Sequence, residues 1–393
     1  MKKSELQFSY PENLVAISPS RPSRVMWVQS PDQFSEITMA ELLERIPAGD
    51  VLVINDTKVL PRRIFAQDEI LFLNPIKNEN SISTWEVLFP SKRWKIGESQ
   101  ELIVGGKPTG VSMTLKQKGR PQIVELTPEV NEEFFYKWGE LPLPPYIQKA
   151  REQSGKENNA SDTISGSGSD MAAVASSRHT VSEDQSWYQT CWAEKAGSLA
   201  APTASLHFSV SDLQKLKDKG VQVLKITLHV GLGTFLPVTT DDLNDHPMHS
   251  EWVEIPASVW QALLNAKNNG HHVWAMGTTV ARSLESAALG KIKSRAHLLQ
   301  NSMLNNSPAS SDNLNDDLDV ESLIGETNLL IQPGYQWQVV DRLLTNFHQP
   351  ESTLLALVAA FSDLKTVKSV YQCAIEKHFR LFSYGDLSVW IKK

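Results

Sequence analysis

Strand-like and helix-like segments alternate through the second half of this 393-residue chain, and this order constrains the fold more than any other feature. Residues 221–230 (VQVLKITLHV) and 271–276 (HHVWAM) read as strands, whereas residues 258–270 and 280–289 have the apolar spacing of helices. Residues 352–361 (STLLALVAAF) fit a buried helix. Because such alternation is typical of helices packed on a sheet, the main domain is predicted to be α/β.

A different pattern occupies residues 64–127, where short runs alternate between apolar and polar side chains. In residues 110–117 (GVSMTLKQ), Val111, Met113 and Leu115 share one face. The glycines of Gly105-Gly106 interrupt these runs as hairpin turns would. The pattern predicts a small antiparallel barrel or sandwich inserted into the larger domain.

Two polar stretches and one proline-rich segment divide the chain. Residues 141–149 (LPLPPYIQK) are expected to be stiff and extended, because each proline restricts its own backbone and that of its predecessor. Residues 150–186 and 300–322 are rich in small polar and acidic residues and are expected to be flexible.

Composition excludes several classes of protein. The net charge of −7 gives no overall attraction to nucleic acid, although residues 92–95 (KRWK) form a local basic cluster around a tryptophan. Cys191 and Cys373 lack the spacing of a zinc site or a redox pair. The longest apolar run is far too short to span a bilayer, and no signal peptide is recognisable, so a cytoplasmic protein is expected.

The stretch TLHVGLGTFLPV, residues 227–238, places two glycines directly after a strand. Glycines at such a position are typical of a bulge or a strand end. Alternatively, they allow a ligand to lie against backbone amides. The pattern is not a dinucleotide-binding motif, because Leu236 stands where the third glycine would fall.

Polar and titratable side chains are concentrated at the predicted strand ends, where α/β sheets bind ligands. Individually, each has an ordinary structural explanation: Thr278 or Thr279 as a helix N-cap, and each histidine as a hydrogen-bonded core residue. The spacing of His246, His249 and Glu251 also allows a metal site, but Pro247 and the lack of a further flanking ligand argue against one.

Motifs along nearly the whole chain resemble the S-adenosylmethionine:tRNA ribosyltransferase-isomerase family of queuosine biosynthesis. In order, these motifs are NDTKVLPRR, PLPPYI, YQTCWAEKAGSLAAPTASLHFS, TLHVGLGTFLPV, HPMHSE, GTTVARSLES, LIQPGYQW, LLTNFHQPESTLLALVAAF and FRLFSYGD. Ile17, Ser205 and Gln349 depart from the family pattern.

The resemblance implies an α/β main domain, residues 1–61 and 146–393, with an inserted small antiparallel β-barrel domain, residues 62–145. It also implies transfer and isomerisation of the ribosyl group of S-adenosylmethionine onto 7-aminomethyl-7-deazaguanine at the tRNA wobble position. The products are epoxyqueuosine-tRNA, adenine and methionine. S-adenosylmethionine would be a co-substrate, with no cofactor and no metal, and the partner a tRNA with a GUN-type anticodon. A monomer is expected.

Given that chemistry, the strand-end residues become site candidates. The proposed proton-transfer residues are His229, His207 and His348, with Glu251 and Glu285 as orienting or base carboxylates. The proposed substrate-binding residues are Gly231, Gly233, Thr234, Thr203, Thr278, Thr279, Arg282, Asn346, Tyr384, Asp386, Arg24 and Arg380; the three arginines suit a carboxylate or tRNA phosphates. Two rival functions remain: a metal-assisted hydrolase, and a tRNA-binding paralogue without catalysis.

Overall fold

The computed structural model describes residues 1–78, 81–161, 181–235, 238–294 and 322–392. Its strands are β1 (Val25–Ser30), β2 (Gln33–Ile37), β3 (Val51–Asn55), β4 (Thr57–Val59), β5 (Arg63–Phe65), β6 (Glu69–Asn78), β7 (Ser81–Leu88), β8 (Ser99–Val104), β9 (Lys107–Gln117), β10 (Gln122–Thr127), β11 (Lys195–Ser198), β12 (Gln222–Leu228), β13 (Glu251–Ile255), β14 (Val273–Met276), β15 (Lys293–Ser294), β16 (Leu323–Thr327), β17 (Arg342–Asn346) and β18 (Leu387–Ile391). Its α-helices are α1 (Met39–Arg45), α2 (Glu132–Trp138), α3 (Pro145–Ser161), α4 (Val181–Trp187), α5 (Val210–Asp218), α6 (Ala257–Asn268), α7 (Thr278–Ala288), α8 (Thr353–Phe361) and α9 (Leu364–Glu376).

A ten-stranded mixed sheet forms the main domain, in the order β15-β16-β13-β12-β3-β14-β17-β18-β1-β2. At its centre, β12, β3, β14 and β17 are mutually parallel. Every residue of β3 is buried, because helices cover both faces of a parallel sheet. Helix α7 packs against all four central strands. The predicted α/β class is therefore confirmed.

Local sequence explains where the helices begin. The Ser352 hydroxyl accepts a hydrogen bond from the Leu355 amide at 3.2 Å and so caps α8. In α7, by contrast, the N-cap is Gly277, with φ +98°, and no side chain caps the helix. Thr278 is the first helical residue instead of the cap. The N-cap interpretation of Thr278 or Thr279 is therefore wrong.

Residues 63–127 form a separate six-stranded antiparallel sheet, in the order β5-β6-β7-β10-β9-β8. Val111, Met113 and Leu115 are buried in its own hydrophobic core, as the alternation predicted. Phe72 and Phe135 meet edge to face in that core, with ring centroids 5.1 Å apart. The antiparallel character is confirmed. The pairings leave β5 and β8 as edges, so closure into a barrel is not confirmed.

The proline-rich segment is extended only as far as Pro144, because α3 begins at Pro145. Proline is favoured at the first helical position, where its missing N–H has no intrahelical role. Helices α3 and α4 also occupy the two flanks of the stretch 150–186, which was expected to be flexible. They are joined by Arg151, which donates to both carboxylate oxygens of Asp184 at 2.8 and 2.7 Å. Residues 162–180, and all but Ser322 of the second polar stretch, lie outside the described residues.

Candidate functional site

A cavity of about 310 Å³ opens at the C-terminal ends of the central parallel strands. This edge is where ligands bind in open α/β sheets. The following predicted site residues line it: Glu251, His348, Thr203, Gly233, Thr278, Thr279, Arg282 and Asn346. Tyr146, His246 and His249, which the sequence reasoning did not assign to substrate, line it as well. We call this cavity the strand-end cavity.

A buried ion pair forms part of its wall. Arg282 Nη1 donates to Glu251 Oε2 at 2.7 Å, and the two residues are 8% and 6% exposed. Arg282 Nε donates to the Leu329 carbonyl at 3.2 Å. Arg282 Nη2 is buried and has no hydrogen-bond partner among the described residues. An unpaired guanidinium N–H in a cavity wall is a strong donor for an anionic ligand.

The N-terminus of α7 faces the same space. Gly277, Thr278, Thr279 and Arg282 all line the cavity. The first amides of a helix have no intrahelical acceptor, and the helix dipole favours negative charge there. Thr279 Oγ1 is also buried without a partner in the described part of the chain. The end of this helix therefore offers several convergent donors to one anionic group.

His348 presents a neutral imidazole to the cavity. Its Nε2 lies 2.7 Å from Thr345 Oγ1, and its backbone amide donates to the Tyr371 hydroxyl at 2.8 Å. Burial lowers the pKa of His348 to about 3. At neutral pH this ring is uncharged and a weak base, suited to hydrogen bonding.

His246 is a further titratable group of the wall. Its Nδ1 is buried and lacks a hydrogen-bond partner within the described ranges. Burial, with a contribution from the neighbouring His249, lowers the pKa of His246. This histidine belongs to the HPMHSE motif, whose spacing had indicated only a possible metal site.

His207 supports the cavity wall without reaching the cavity. The Asn346 amide group donates to His207 Nε2 at 3.0 Å, so Nδ1 carries the proton and donates to Ser23 Oγ at 2.6 Å. Thr203 Oγ1 donates to the Asn346 side-chain oxygen at 2.9 Å. Burial, with Arg21 and Arg380 adding to it, lowers the pKa of His207 to about 3. Both ring nitrogens are occupied, which fits a positioning residue instead of a base.

His229 does not line the cavity, although its neighbour Val230 does. His229 Nδ1 is 2.8 Å from Thr57 Oγ1, and the ring stacks on Trp252 at 5.0 Å. A Cβ at Gly197 would lie 2.6 Å from His229 Nε2, so the ring packs directly on that glycine. Burial and Lys195 lower the pKa of His229 to about 4.

Both carboxylate oxygens of Glu285 accept hydrogen bonds from the loop at residues 335–340. One oxygen accepts from the Val339 and Val340 amides, both at 2.9 Å, and the other from the Gln338 amide and the Tyr335 hydroxyl. It is fully buried in α7 and does not line the cavity. These contacts indicate that Glu285 stabilises the loop, whereas the sequence had suggested an orienting or base carboxylate.

Four other candidates lie outside the cavity; three of them have their polar groups paired, and the fourth, Tyr384, has a buried hydroxyl without a partner among the described residues. Arg24 Nε and Nη2 pair with Glu36 at 2.7 and 2.8 Å, and its Nη1 donates to two backbone carbonyls. The Asp386 oxygens accept from the amides of Arg24 and Arg380. Arg380 donates to the Ser18 carbonyl. Tyr384 is buried against Tyr188. None of these four lines the cavity.

Two glycines form the turn that follows β12. Neither Gly231 nor Gly233 has a positive φ. The Gly231 amide points to Glu251 Oε1 at 3.4 Å, and a Cβ there would meet only the Ser250 carbonyl at 3.8 Å. A Cβ at Gly233 would lie 3.3 Å from His249. Thr234 follows in the short 3-10 helix Leu232–Phe235. At Gly233, and not at Gly231, another side chain lies so close that a Cβ would displace it.

Among the described residues, no group of three or more His, Cys, Asp or Glu side chains is placed to hold a metal ion. No helix there has the length and apolar character needed to cross a bilayer.

Comparisons with known proteins indicate one family over nearly the whole chain. Residues 3–390 match the model of a family described as queuosine biosynthesis protein. A Halothermothrix orenii protein named S-adenosylmethionine:tRNA ribosyltransferase-isomerase is 35% identical over 399 residues, covering 98% of each chain. The crystal structure of S-adenosylmethionine tRNA ribosyltransferase from Thermotoga maritima is 24% identical, covers 98% of this chain and 99% of its own, and has a TM-score of 0.47. The family match includes every element that forms the strand-end cavity.

Proposed function

This chain belongs to the queuosine biosynthesis protein family and acts as an S-adenosylmethionine:tRNA ribosyltransferase-isomerase, and we propose that the strand-end cavity is where it does so. The enzyme transfers and isomerises the ribosyl moiety of S-adenosylmethionine onto 7-aminomethyl-7-deazaguanine in tRNA. The observation that carries the site proposal is that three residues lining one cavity each have a buried polar atom without a hydrogen-bond partner among the described residues: Arg282 Nη2, Thr279 Oγ1 and His246 Nδ1. A buried polar atom without a partner is costly, so a ligand that pairs all three is favoured.

The amino-acid part of S-adenosylmethionine is proposed to bind at the N-terminus of α7. Its carboxylate would accept hydrogen bonds from Arg282 Nη2 and Thr279 Oγ1, with the helix dipole adding attraction. Glu251 holds Arg282 at 2.7 Å and so fixes the direction of the guanidinium group. Of the three candidate arginines, Arg282 is the one in the cavity wall.

His246 is proposed as the general base. The sulfonium group acidifies the ribose C5′ protons, and a base removes one of them. The carbanion expels the ring oxygen from C4′, and the freed oxygen expels adenine from C1′, which leaves an aldehyde. The acceptor amine adds to C4′ and loses a proton, the carbanion re-formed at C5′ attacks C1′ to close the five-membered carbon ring, and the resulting alkoxide displaces methionine from C5′ to give the epoxide. A base must be neutral and have a nitrogen without another hydrogen bond. His246 lines the cavity, its pKa is lowered, and its Nδ1 has no partner among the described residues. His348 has a pKa of about 3 and is a much weaker proton acceptor.

His348 is proposed to hydrogen-bond the departing adenine as a neutral imidazole. When Thr345 donates to Nε2, the ring carries its proton on Nδ1 and can donate it to an adenine nitrogen. Asn346 and Thr203, fixed by His207, would hold the ribose.

The remaining expectations about this protein stay proposals. We propose that it acts as a cytoplasmic monomer on tRNAs with a GUN-type anticodon, without a cofactor or a metal. Residues 62–145 are proposed to be an inserted, barrel-like domain, in support of which the six-stranded sheet has its own core.

Turnover can be tested with precursor-bearing tRNA and S-adenosylmethionine in the presence of a chelator. Release of adenine and methionine in equal amounts, with epoxyqueuosine in the tRNA, is the expected result. Loss of turnover that a divalent ion restores would favour the metal-assisted alternative. Binding of tRNA without adenine release would favour a paralogue without catalysis.

A further inference from the structure

A second cavity of about 550 Å³ lies between the six-stranded sheet and the proline-rich segment. We call it the sheet-side hollow. Leu71, Leu88 and Phe89 contribute its apolar wall on the sheet side, and Leu143 and Pro145 on the other. None of the predicted site residues lines it.

The proline-rich segment is a wall shared by the two cavities. Pro142, Leu143 and Pro145 line the sheet-side hollow, whereas Pro144 and Tyr146 line the strand-end cavity. Tyr146 is anchored on the cavity side, where its hydroxyl accepts from the Ser383 amide at 3.2 Å. The two cavities are therefore neighbours on either side of this segment.

Gln122, which lines the hollow, has one buried polar atom without a partner among the described residues. Gln122 is 7% exposed, and its side-chain Nε2 donates to the Phe89 carbonyl at 3.1 Å and to Ser91 Oγ at 2.9 Å. Since the Phe89 carbonyl can only accept, this bond fixes which end of the amide is the nitrogen. Gln122 Oε1 is left buried without a donor from any described residue. This oxygen can therefore accept a hydrogen bond from an N–H or O–H group of a ligand.

Two cationic side chains complete the lining. Lys92 and Arg120 both line the hollow and are exposed, and neither forms a salt bridge with a described carboxylate. The Arg63 guanidinium at the hollow is paired with Glu69 at 2.8 Å and is buried. These features match the three parts of a nucleotide. The exposed cations suit the phosphate, the apolar wall suits the flat surface of the base, and the hydrogen-bond acceptor suits a base N–H.

We propose that the sheet-side hollow binds an unstacked nucleotide of the tRNA anticodon loop next to the one that reacts. The base lies between the leucine and proline side chains and donates an N–H to Gln122 Oε1. Its phosphate lies near Arg120 and Lys92. The proposal rests on the proposed function, since it takes tRNA as the substrate and the strand-end cavity as the place of reaction.

Charge reversal tests the phosphate contact. Arg120→Glu changes an exposed residue and is compared with Lys107→Glu, which changes an exposed lysine of the same sheet that lines neither cavity. We expect Arg120→Glu to raise the KM for tRNA roughly tenfold, with the KM for S-adenosylmethionine and kcat unchanged. The salt dependence of tRNA binding should fall by about 0.7 in the log–log slope per lost contact. An effect of Arg120→Glu no larger than that of Lys107→Glu would overturn the proposal.

The base contact is tested with anticodon stem-loop RNAs that carry the precursor base and one abasic site, moved through the loop nucleotides. Removing the base that occupies the hollow should weaken binding by wild-type protein severalfold but have no further effect on Gln122→Leu. Additive effects at every loop position would overturn the proposal. Thermal melting shows whether Gln122→Leu folds, and the Arg120→Glu comparison decides the matter if it does not.

Binding is measured by fluorescence anisotropy without S-adenosylmethionine, and turnover by adenine release. Wild-type protein that binds the stem-loop with these signatures but releases no adenine would contradict the proposed function alone. Turnover by wild-type protein without these signatures would contradict the sheet-side hollow alone.

Discussion

Arg282 and Glu251 form an ion pair in the wall of the strand-end cavity, with 2.7 Å between Nη1 and Oε2, and this pair leaves Arg282 Nη2 without a partner among the described residues. A buried ion pair contributes little to stability unless its remaining donors are satisfied. The unpaired donor at a helix N-terminus therefore indicates a ligand contact.

Replacing Arg282 with lysine should raise the KM for S-adenosylmethionine roughly 10- to 150-fold, because a hydrogen bond to a charged group contributes about 1.5–3 kcal/mol. Lysine keeps the charge but cannot bond Glu251, Leu329 and a ligand in one plane. Steady-state kinetics measure the effect. Arg342→Lys, which changes an arginine bonded only to backbone carbonyls outside the cavity, is the control. An unchanged KM in a folded Arg282→Lys variant would remove Arg282 from the binding site.

Replacing His246 with asparagine should lower kcat roughly 10²- to 10⁴-fold, the usual contribution of a general base. The pKa of His246 is lowered from 6.5, so the neutral base persists at mildly acidic pH. Activity should be present above this lowered pKa and be lost as the pH falls through it. A kcat–pH profile checks this point, and His246→Asn should abolish the acidic limb. His348→Asn should retain the limb; if instead it alone abolishes it, the two roles are reversed.

Alanine substitutions at Gly233 and Gly231 should show which of the two glycines is needed because a neighbouring side chain lies close to it. Gly233→Ala places a Cβ 3.3 Å from His249, and we expect it to displace this wall residue and raise the KM for S-adenosylmethionine severalfold. A Cβ at Gly231 would meet the Ser250 carbonyl at 3.8 Å, an ordinary contact distance, and the residue has no positive φ. The melting temperature and kinetics of Gly231→Ala should therefore stay near wild type. Equal effects of the two substitutions would contradict this reading of the turn.

Acidification should destabilise the protein through His207. Its pKa is about 3 in the folded state and 6.5 ordinarily, so between these values the unfolded chain binds a proton that the native state does not. The stability from the buried neutral ring is complete above pH 6.5 and decreases as the pH falls toward 3. Denaturant unfolding at pH 4, 5 and 6 should show a loss of about 1 kcal/mol per pH unit that His207→Gln lacks. Parallel pH profiles of the two proteins would exclude His207 as the source.

A Gly/Ser linker in place of residues 162–180 should leave the melting temperature nearly unchanged. Loop-closure entropy varies by only about 0.6 kcal/mol per doubling of length, and the Arg151–Asp184 pair, which joins α3 and α4, is retained. The KM for tRNA is measured separately from kcat, because Arg178 and His179 lie in the replaced segment. A severalfold loss of kcat with intact folding would identify the segment as part of the catalytic machinery.

The sequence by itself determined the class of fold and the chemistry. Alternation of apolar residues placed Val111, Met113 and Leu115 in one core, and Ser352 marked the start of α8, because these signals depend on residues close together in the chain. The order of the motifs identified the family before any geometry was known. It also placed Thr203, Arg282 and Asn346 together at strand ends, where the cavity is found.

Only the tertiary structure decided which titratable groups face the cavity. The sequence does not show that Val230 lines the cavity and His229 does not, since that depends on how β12 pairs and on what covers it. The contacts that occupy His207 and Glu285 come from Ser23 and from the loop at residues 335–340, 184 and about 50 residues away along the chain. Hydrogen bonds between such distant residues leave no local pattern in the sequence. They form only when the sheet brings the strand ends together. The fold alone therefore shows which titratable side chains already have their polar atoms occupied by other residues.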